Sequence, residues 1–331
     1  LLLVQACRDG NVEQIAVLLQ ATPKPDIHYV DPETGATLLH DACGSGSLDA
    51  VQALIRIGVP WNSVDFAHKS AGEAALEAGH MDVYDALVQE GIRSELLLEA
   101  VSRHHDDEDD DEPPKKKTKV SNAEYLASPL VFSEGRLLDS ERNAVMMGWE
   151  HPLMIHHAKV IAPKPGLDVL NVGFGLGLVD KELQKLKPRT HTIIEAHPDV
   201  YKHMLEEGWD KIPGVKILFG RWQDVVPQLE TYDGIFFDTF GEYYADLKEF
   251  HEVLPNILRQ DGIYSYFNGL GGTDRFFHDV YCQIADLDLQ DMCIQTEYVQ
   301  LDLEALGDEV WQGTKRPYWS LNTYNLPICK F

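Results

Sequence analysis

The chain has 331 residues, 44% hydrophobic and 25% charged, with a formal net charge of −26 at pH 7. That length allows about two domains with full cores, and no apolar run approaches the ~18 residues of a membrane span. So acidic a chain repels nucleic-acid phosphate and attracts cationic partners, so direct nucleic-acid binding is not expected.

A repeat comes first. Ala42, Gly46, Asp49, Leu54 and Gly58 recur 33 positions later as Ala75, Gly79, Asp82, Leu87 and Gly91. An earlier copy, Ala6, Gly10 and Leu18, stands 36 positions before Ala42, Gly46 and Leu54, and the three extra residues fit an insertion in residues 23–33. With "GATLLHDA" at residues 35–42, this period is similar to the ankyrin pattern of a turn and two short antiparallel helices. Ala42 and Ala75 let the first helices stack closely, and Gly46 and Gly79 suit inter-helix turns where positive φ is cheap for glycine. Each hairpin has an apolar face that only a neighbouring copy can bury. Residues 1–101 are therefore read as a short all-α ankyrin-type domain. Its face suits an unidentified protein partner, and a plain structural cap is the alternative.

An acidic run, "DDEDDDE" at residues 106–112, then meets "PPKKKTKV" at residues 113–120. Such a segment cannot bury apolar surface, so residues 102–121 are expected to be a disordered linker. "PKKKTKV" also resembles a monopartite nuclear import signal. Cytoplasm and nucleus are the compartments expected on that reading, and a solvated spacer is the plainer one.

From residue 122 to 331 a second domain is expected. "LDVLNV" (167–172), "HTIIEA" (191–196), "VKILF" (215–219), "GIFFDT" (234–239) and "GIYSYF" (262–267) read as strands alternating with helical patterns. That alternation predicts a mostly parallel, doubly wound α/β sheet of the Rossmann-like type. Its ligands should sit at the carboxyl ends of the strands. "PYWS" at residues 317–320 is expected to be the last strand.

The first strand ends in "VGFGLG" (172–177), where Gly173 and Gly175 allow a sharp turn close to a ligand and Gly177 allows close helix packing. Glu195, 22 residues after Gly173, is placed to accept both ribose hydroxyls of an adenosine moiety. The unit leaves a dinucleotide and S-adenosylmethionine open, and the Gly-x-Gly-x-Gly spacing leans toward the second. Trp222 in "RWQD" could support an adenine edge, or could simply be core.

"VMMGWEHPLM" (145–154) and "FFDTF" (236–240), with "VGFGLG", "IIEA" and "GRWQDVVPQL", resemble guanidinoacetate N-methyltransferase and its fungal relatives, the type IV protein arginine N-methyltransferases. The ankyrin-like start is similar to the fungal branch. This resemblance implies a class I methyltransferase fold, S-adenosylmethionine as cofactor, and a methyl group delivered to the δ nitrogen of arginine in a protein, for example a ribosomal protein. It also implies cofactor contacts from Tyr125, Met146, Met154, Gly173, Phe174, Gly175, Leu176, Gly177, Leu178, Glu195, Ala196, His197, Arg221, Trp222 and Asp238. Glu150 and Asp238 match the carboxylates that grip the guanidinium. Delocalised lone pairs make a guanidinium a poor nucleophile. Charge-assisted hydrogen bonds to carboxylates can localise its charge on the nitrogens that do not react. The plainer readings are a surface acid for Glu150 and a strand-end turn residue for Asp238.

One departure concerns the loop "NGLGGTD" (268–274), which lacks the hydroxyl pair that holds a small substrate's carboxylate. The resemblance thus favours a polypeptide over free guanidinoacetate. Small-molecule guanidine methylation and an idle ankyrin scaffold remain as alternatives. His151, His156 and His157 have no acid or cysteine at ligand spacing, so no metal is expected. The five cysteines, Cys7, Cys43, Cys282, Cys293 and Cys329, form no Cys-x-x-Cys pair and suggest neither a disulfide framework nor a zinc ribbon.

Overall fold

The computed structural model describes residues 2–108, 122–133, 135–240 and 244–331. They fall into two compact units, one within Leu1–Pro114 and Gly271–Ile284, the other within Lys115–Leu270 and Ala285–Phe331. Among the described residues, no helix is long and apolar enough to cross a membrane.

The first unit contains three helical hairpins: α1 (Leu2–Arg8) with α2 (Val12–Leu19), α3 (Leu38–Ser45) with α4 (Leu48–Arg56), and α5 (Ala71–Glu77) with α6 (Met81–Glu108). Local chemistry fixes their starts. Asn11, Ser47 and Ser70 each accept a hydrogen bond from a backbone N–H in the first turn of the helix they precede. Gly10, Gly46 and Gly79 take φ of +61°, +76° and +79° at the inter-helix turns, and Ala6, Ala42 and Ala75 are fully buried where first helices stack. The last helix runs to Glu108, so its final turns enter the stretch read as linker from the sequence. The rest of that stretch, including the basic run, lies outside the described residues.

Residues Gly271–Ile284 are a late segment of chain that belongs with these repeats. Asp274 accepts hydrogen bonds from the Ser70 N–H and hydroxyl at 3.1 and 3.2 Å. Phe276 packs edge-on against Trp61 and Tyr84. A Cβ on Gly72 would stand 2.3 Å from the Phe276 ring, so only glycine fits there.

The second unit opens with α7 (Asn122–Ala127) and a small antiparallel sheet of β1 (Val131–Ser133), β2 (Arg136–Leu138) and β3 (Ala144–Met147). A single turn, Gly148–Glu150, leads into α8 (His151–Ile161). There follow β4 (Asp168–Val172), α9 (Leu178–Lys185), β5 (Thr190–Glu195), α10 (Pro198–Glu206), β6 (Val215–Phe219), α11 (Trp222–Val225) and β7 (Tyr232–Phe237). The chain then forms α12 (Tyr244–His251), α13 (Leu254–Ile257), β8 (Leu258–Tyr266), α14 (Arg275–Asp291, which belongs to the first unit as far as Ile284), β9 (Gln295–Asp302) and β10 (Thr323–Lys330).

The main sheet has strand order β6-β5-β4-β7-β8-β10-β9, parallel except for β10, which runs antiparallel to β8 and β9. This is the expected Rossmann-like sheet. Central β4 is buried along its whole length, with Val169, Leu170 and Val172 in the core and the buried Asp168 and Asn171 hydrogen-bonded to Arg189 and Asp180 respectively. Strand order reverses between β4 and β7, so the crevice for a ligand opens beyond their carboxyl ends. On one face, α8 lies close upon β7, because a Cβ on Gly234 would stand 2.2 Å from the Ile161 carbonyl oxygen.

One strand expectation is corrected. Residues 317–320 form no strand, and β10 begins at Thr323. Trp319 is fully buried in a side cluster with Leu153, Tyr324 and Leu326. That packing holds "PYWS" against the sheet without pairing it.

Candidate active site

Loops after four parallel strands converge beyond the switch point. The loop after β4 holds Gly173, Gly175 and Gly177 at φ of +96°, +56° and +66°. A Cβ on Gly173 would stand 1.9 Å from the Asp238 carbonyl oxygen, and one on Gly175 2.8 Å from Met146 Sδ. Behind the loop, fully buried Asp180 receives the Asn171 side-chain amide at 2.8 and 2.9 Å, and the same amide reaches the Gly173 carbonyl at 2.9 Å. Glu195 closes β5. Its carboxylate accepts the Phe174 N–H at 2.9 Å and the His197 N–H at 2.6 Å. Burial pushes the Glu195 pKa up, and the backbone donors oppose the rise.

These loops border a cavity of about 870 Å³, part of it open to solvent. Of the residues named from the sequence, Tyr125, Met146, Gly173, Gly175, Glu195, Ala196, His197, Arg221, Trp222 and Asp238 line it. Tyr125 stacks on Phe240 with centroids 4.1 Å apart and meets His197 edge-on at 5.2 Å. Arg221 is held by Asp224 at 3.0 Å. Trp222 borders the cavity and also packs edge-on against Phe250 at 5.3 Å, so the ring belongs to the core as well as to the lining.

The remaining named residues, Glu150 among them, are not part of the lining. Met154 is fully buried in a core cluster with Ile161, Val169 and Phe236. Phe174 turns inward against Trp209 at 5.2 Å. Gly177, in the left-handed conformation, caps α9, whose first residue is Leu178. The Leu176 N–H points at Met146 Sδ, 3.2 Å away. Phe174, Leu176, Gly177 and Leu178 belong to the glycine turn and the start of α9.

The acids form the chemical centre. Glu150, at the start of α8, is 3% exposed. Its Oε1 accepts the Met147 N–H at 2.8 Å and the Tyr318 hydroxyl. Asp238 follows β7, and its buried Oδ2 has no partner among the described residues. Burial raises the pKa of both. The charge of Asp238 adds to the effect on Glu150, and that of Asp180 to the effect on Asp238. Two desolvated carboxyls with a vacant acceptor would be relieved by a cation carrying several N–H donors.

Tyr318 was not singled out from the sequence. The signal available was an aromatic cluster near the carboxyl terminus, since Tyr318 packs against Trp149 at 5.7 Å and Trp311 at 5.0 Å. The loop after β8 is anchored through Asn268. Its N–H donates to the Tyr324 hydroxyl at 2.8 Å, and its side-chain amide donates to the Asn325 carbonyl at 3.0 Å. The Tyr324 hydroxyl lies 2.9 Å from His157 Nε2, and His157 Nδ1 lies 2.8 Å from Ser265 Oγ. Burial lowers the His157 pKa to about 3, so its ring is a neutral support. His151 pairs instead with Glu182 at 2.8 Å. Among the described residues no group of three or more His, Cys, Asp or Glu side chains is placed to hold a metal ion.

The model of the guanidinoacetate N-methyltransferase family matches residues 131–300, and a three-copy ankyrin repeat model matches residues 3–96. A protein arginine N-methyltransferase 2 from Emericella nidulans is 36% identical over 86% of this chain and 78% of its own length. The chain belongs to the protein arginine N-methyltransferase 2 family. Family members from Aspergillus oryzae and Cryptococcus neoformans are 35% and 37% identical, over 92% and 91% of this chain and 89% and 87% of theirs. In this member of the protein arginine N-methyltransferase 2 family, the matched region spans Glu150, the glycine turn, Glu195 and Asp238.

Proposed function

We propose that the chain is an S-adenosylmethionine-dependent methyltransferase acting on the δ nitrogen of arginine in a protein substrate. The observation that carries this reading is the buried pair Glu150 and Asp238, of which Asp238 borders the glycine-lined cavity and has a buried, unpartnered Oδ2. The names of the relatives support arginine as the acceptor.

The residues fit the cofactor. Gly173 and Gly175 form a cradle that a Cβ would fill, and Glu195 stands at the second strand end where ribose hydroxyls are held. Arg221 and Trp222 would face the adenine, with Tyr125, Met146 and His197 covering the rest. When bound, S-adenosylmethionine supplies an electrophilic methyl group. Glu150 and Asp238 bind the two terminal guanidinium nitrogens and concentrate positive charge there. The chain-bearing nitrogen is left to react. One of the two carboxylates takes its proton as the carbon–nitrogen bond forms, and burial makes each a stronger base than an exposed carboxylate. Cavity walls such as Phe240 keep water from the reacting atoms.

The protein substrate is basic on this reading, a ribosomal protein being one candidate, and the repeats offer a surface for a further protein. Residence in cytoplasm and nucleus belongs to the same proposal. The test is incubation of the full chain with labelled S-adenosylmethionine and a basic protein extract, guanidinoacetate serving as the competing acceptor. Mass spectrometry should locate the label on the δ nitrogen of arginine. Terminal-nitrogen methylarginine as the sole product, or labelled creatine alone, would overturn the reading.

A further inference from the structure

Between β9 and β10 the chain makes a long excursion, residues 303–322, that pairs with no strand of the main sheet. It is tied down on the β2–β3 side. Arg136 donates to the Gln312 and Glu309 carbonyls at 2.6 and 3.1 Å, Arg142 donates to the Gly313 carbonyl, and the Lys315 N–H donates to the Arg142 carbonyl at 2.9 Å. β3 ends at Met147, whose N–H reaches Glu150 Oε1, and the excursion carries Tyr318, whose hydroxyl reaches the same oxygen. Both donors to one carboxylate oxygen thus come from segments bound to each other.

We propose that Tyr318 is a positioning residue for the guanidinium site. Its hydroxyl saturates Glu150 Oε1, fixes the plane of the carboxylate, and leaves Oε2 as the oxygen that receives the arginine. The inference rests on the proposed function and deepens it.

The surroundings make the hydroxyl a dedicated donor. Trp149 and Trp311 pack on the ring and limit its rotation. Burial and the Glu150 charge push the Tyr318 pKa well above its ordinary value, so the hydroxyl keeps its proton. The groups that set the Glu150 charge are Asp238, which opposes ionisation, and Tyr318 and the Met147 N–H, which favour it. Asp180 acts one step further back, on Asp238. Without the Tyr318 donor, burial and Asp238 act on Glu150 with less opposition. Its ionisation, and with it arginine binding, then moves to higher pH.

The experiment uses the full chain and the Tyr318→Phe variant, which keeps the ring and its packing. Calorimetry with S-adenosylhomocysteine should give the same affinity for both proteins, which also reports a folded site. With S-adenosylhomocysteine present, an arginine peptide should bind the variant about 10-fold to 100-fold more weakly, as loss of one hydrogen bond to a charged group implies. KM for the peptide should rise accordingly. The rise of kcat/KM with pH should move to more alkaline values. In a Glu150→Gln background the same change should have little further effect on peptide binding. An unchanged pH profile together with unchanged peptide affinity overturns the proposal, and so does full additivity with Glu150→Gln. Failure of the unsubstituted chain to methylate arginine would instead overturn the proposed function.

Discussion

Glu150 illustrates a conflict between stability and use at a single residue. Its folded-state pKa lies above the unfolded value because burial and Asp238 disfavour the charge. The folded protein therefore holds a proton that the unfolded chain releases, and stability falls as pH rises from the ordinary glutamate range through the raised folded value. The free carboxylate is costly, and a bound guanidinium offsets that cost. Glu150→Gln keeps an oxygen for the Met147 and Tyr318 donors yet never ionises. We expect the unliganded variant to melt roughly 2–6 °C higher than the unsubstituted protein at alkaline pH, with the difference shrinking toward pH 5. Its turnover should fall by about 30-fold to several thousand-fold, since removing one partner of a desolvated charge pair costs about 2–5 kcal/mol. Thermal melts across pH, beside single-turnover rates, check both halves. A variant less stable than the parent at high pH would contradict the account.

At the scale of elements, the two carboxylates are linked through the contact of α8 with β7. Glu150 precedes α8, Asp238 follows β7, and Ile161 at the far end of α8 touches Gly234. A methyl at 234 would force the helix off the strand, and the gap between the acids would open with it. Gly234→Ala should therefore weaken arginine-peptide binding by about tenfold or more, since small misplacements at a reacting centre are costly. S-adenosylhomocysteine affinity should change much less, because the glycine turn follows β4. Equal loss of both affinities would point to general unfolding instead. Little of this coupling was legible in the sequence. Five parallel strands could be read from runs such as "LDVLNV" because buried strands are locally apolar, and the glycine turn because its spacing is a backbone requirement. β9 was missed, since "QTEYVQLD" is an edge strand with a polar outer face. "PYWS" misled because aromatic residues favour both strands and packed coil, and only tertiary burial of Trp319 separates them. Tyr318 escaped for a related reason. It lies 168 positions from its carboxylate partner, a separation that local pattern does not register.

For the whole molecule, the order of residues along the chain and their membership of the two units differ. Gly271–Ile284 returns to the repeats after the long passage through the second unit, bringing Asp274 to Ser70 and Phe276 to Gly72. A single cut of the chain, at any point, therefore cannot release either unit whole. Protease nicking within residues 109–121 should leave two fragments that co-elute on gel filtration, held together as a non-covalent pair. A recombinant fragment of residues 122–331 would carry Phe276 without Gly72, Trp61 and Tyr84, and Asp274 without the Ser70 donors. That orphaned aromatic and carboxylate predict poorer solubility and a lower melting temperature than the full chain. A monomeric fragment as stable as its parent would show that the late segment is dispensable. The repeats thus complete their packing with a stretch of chain that lies 204 positions beyond Ser70.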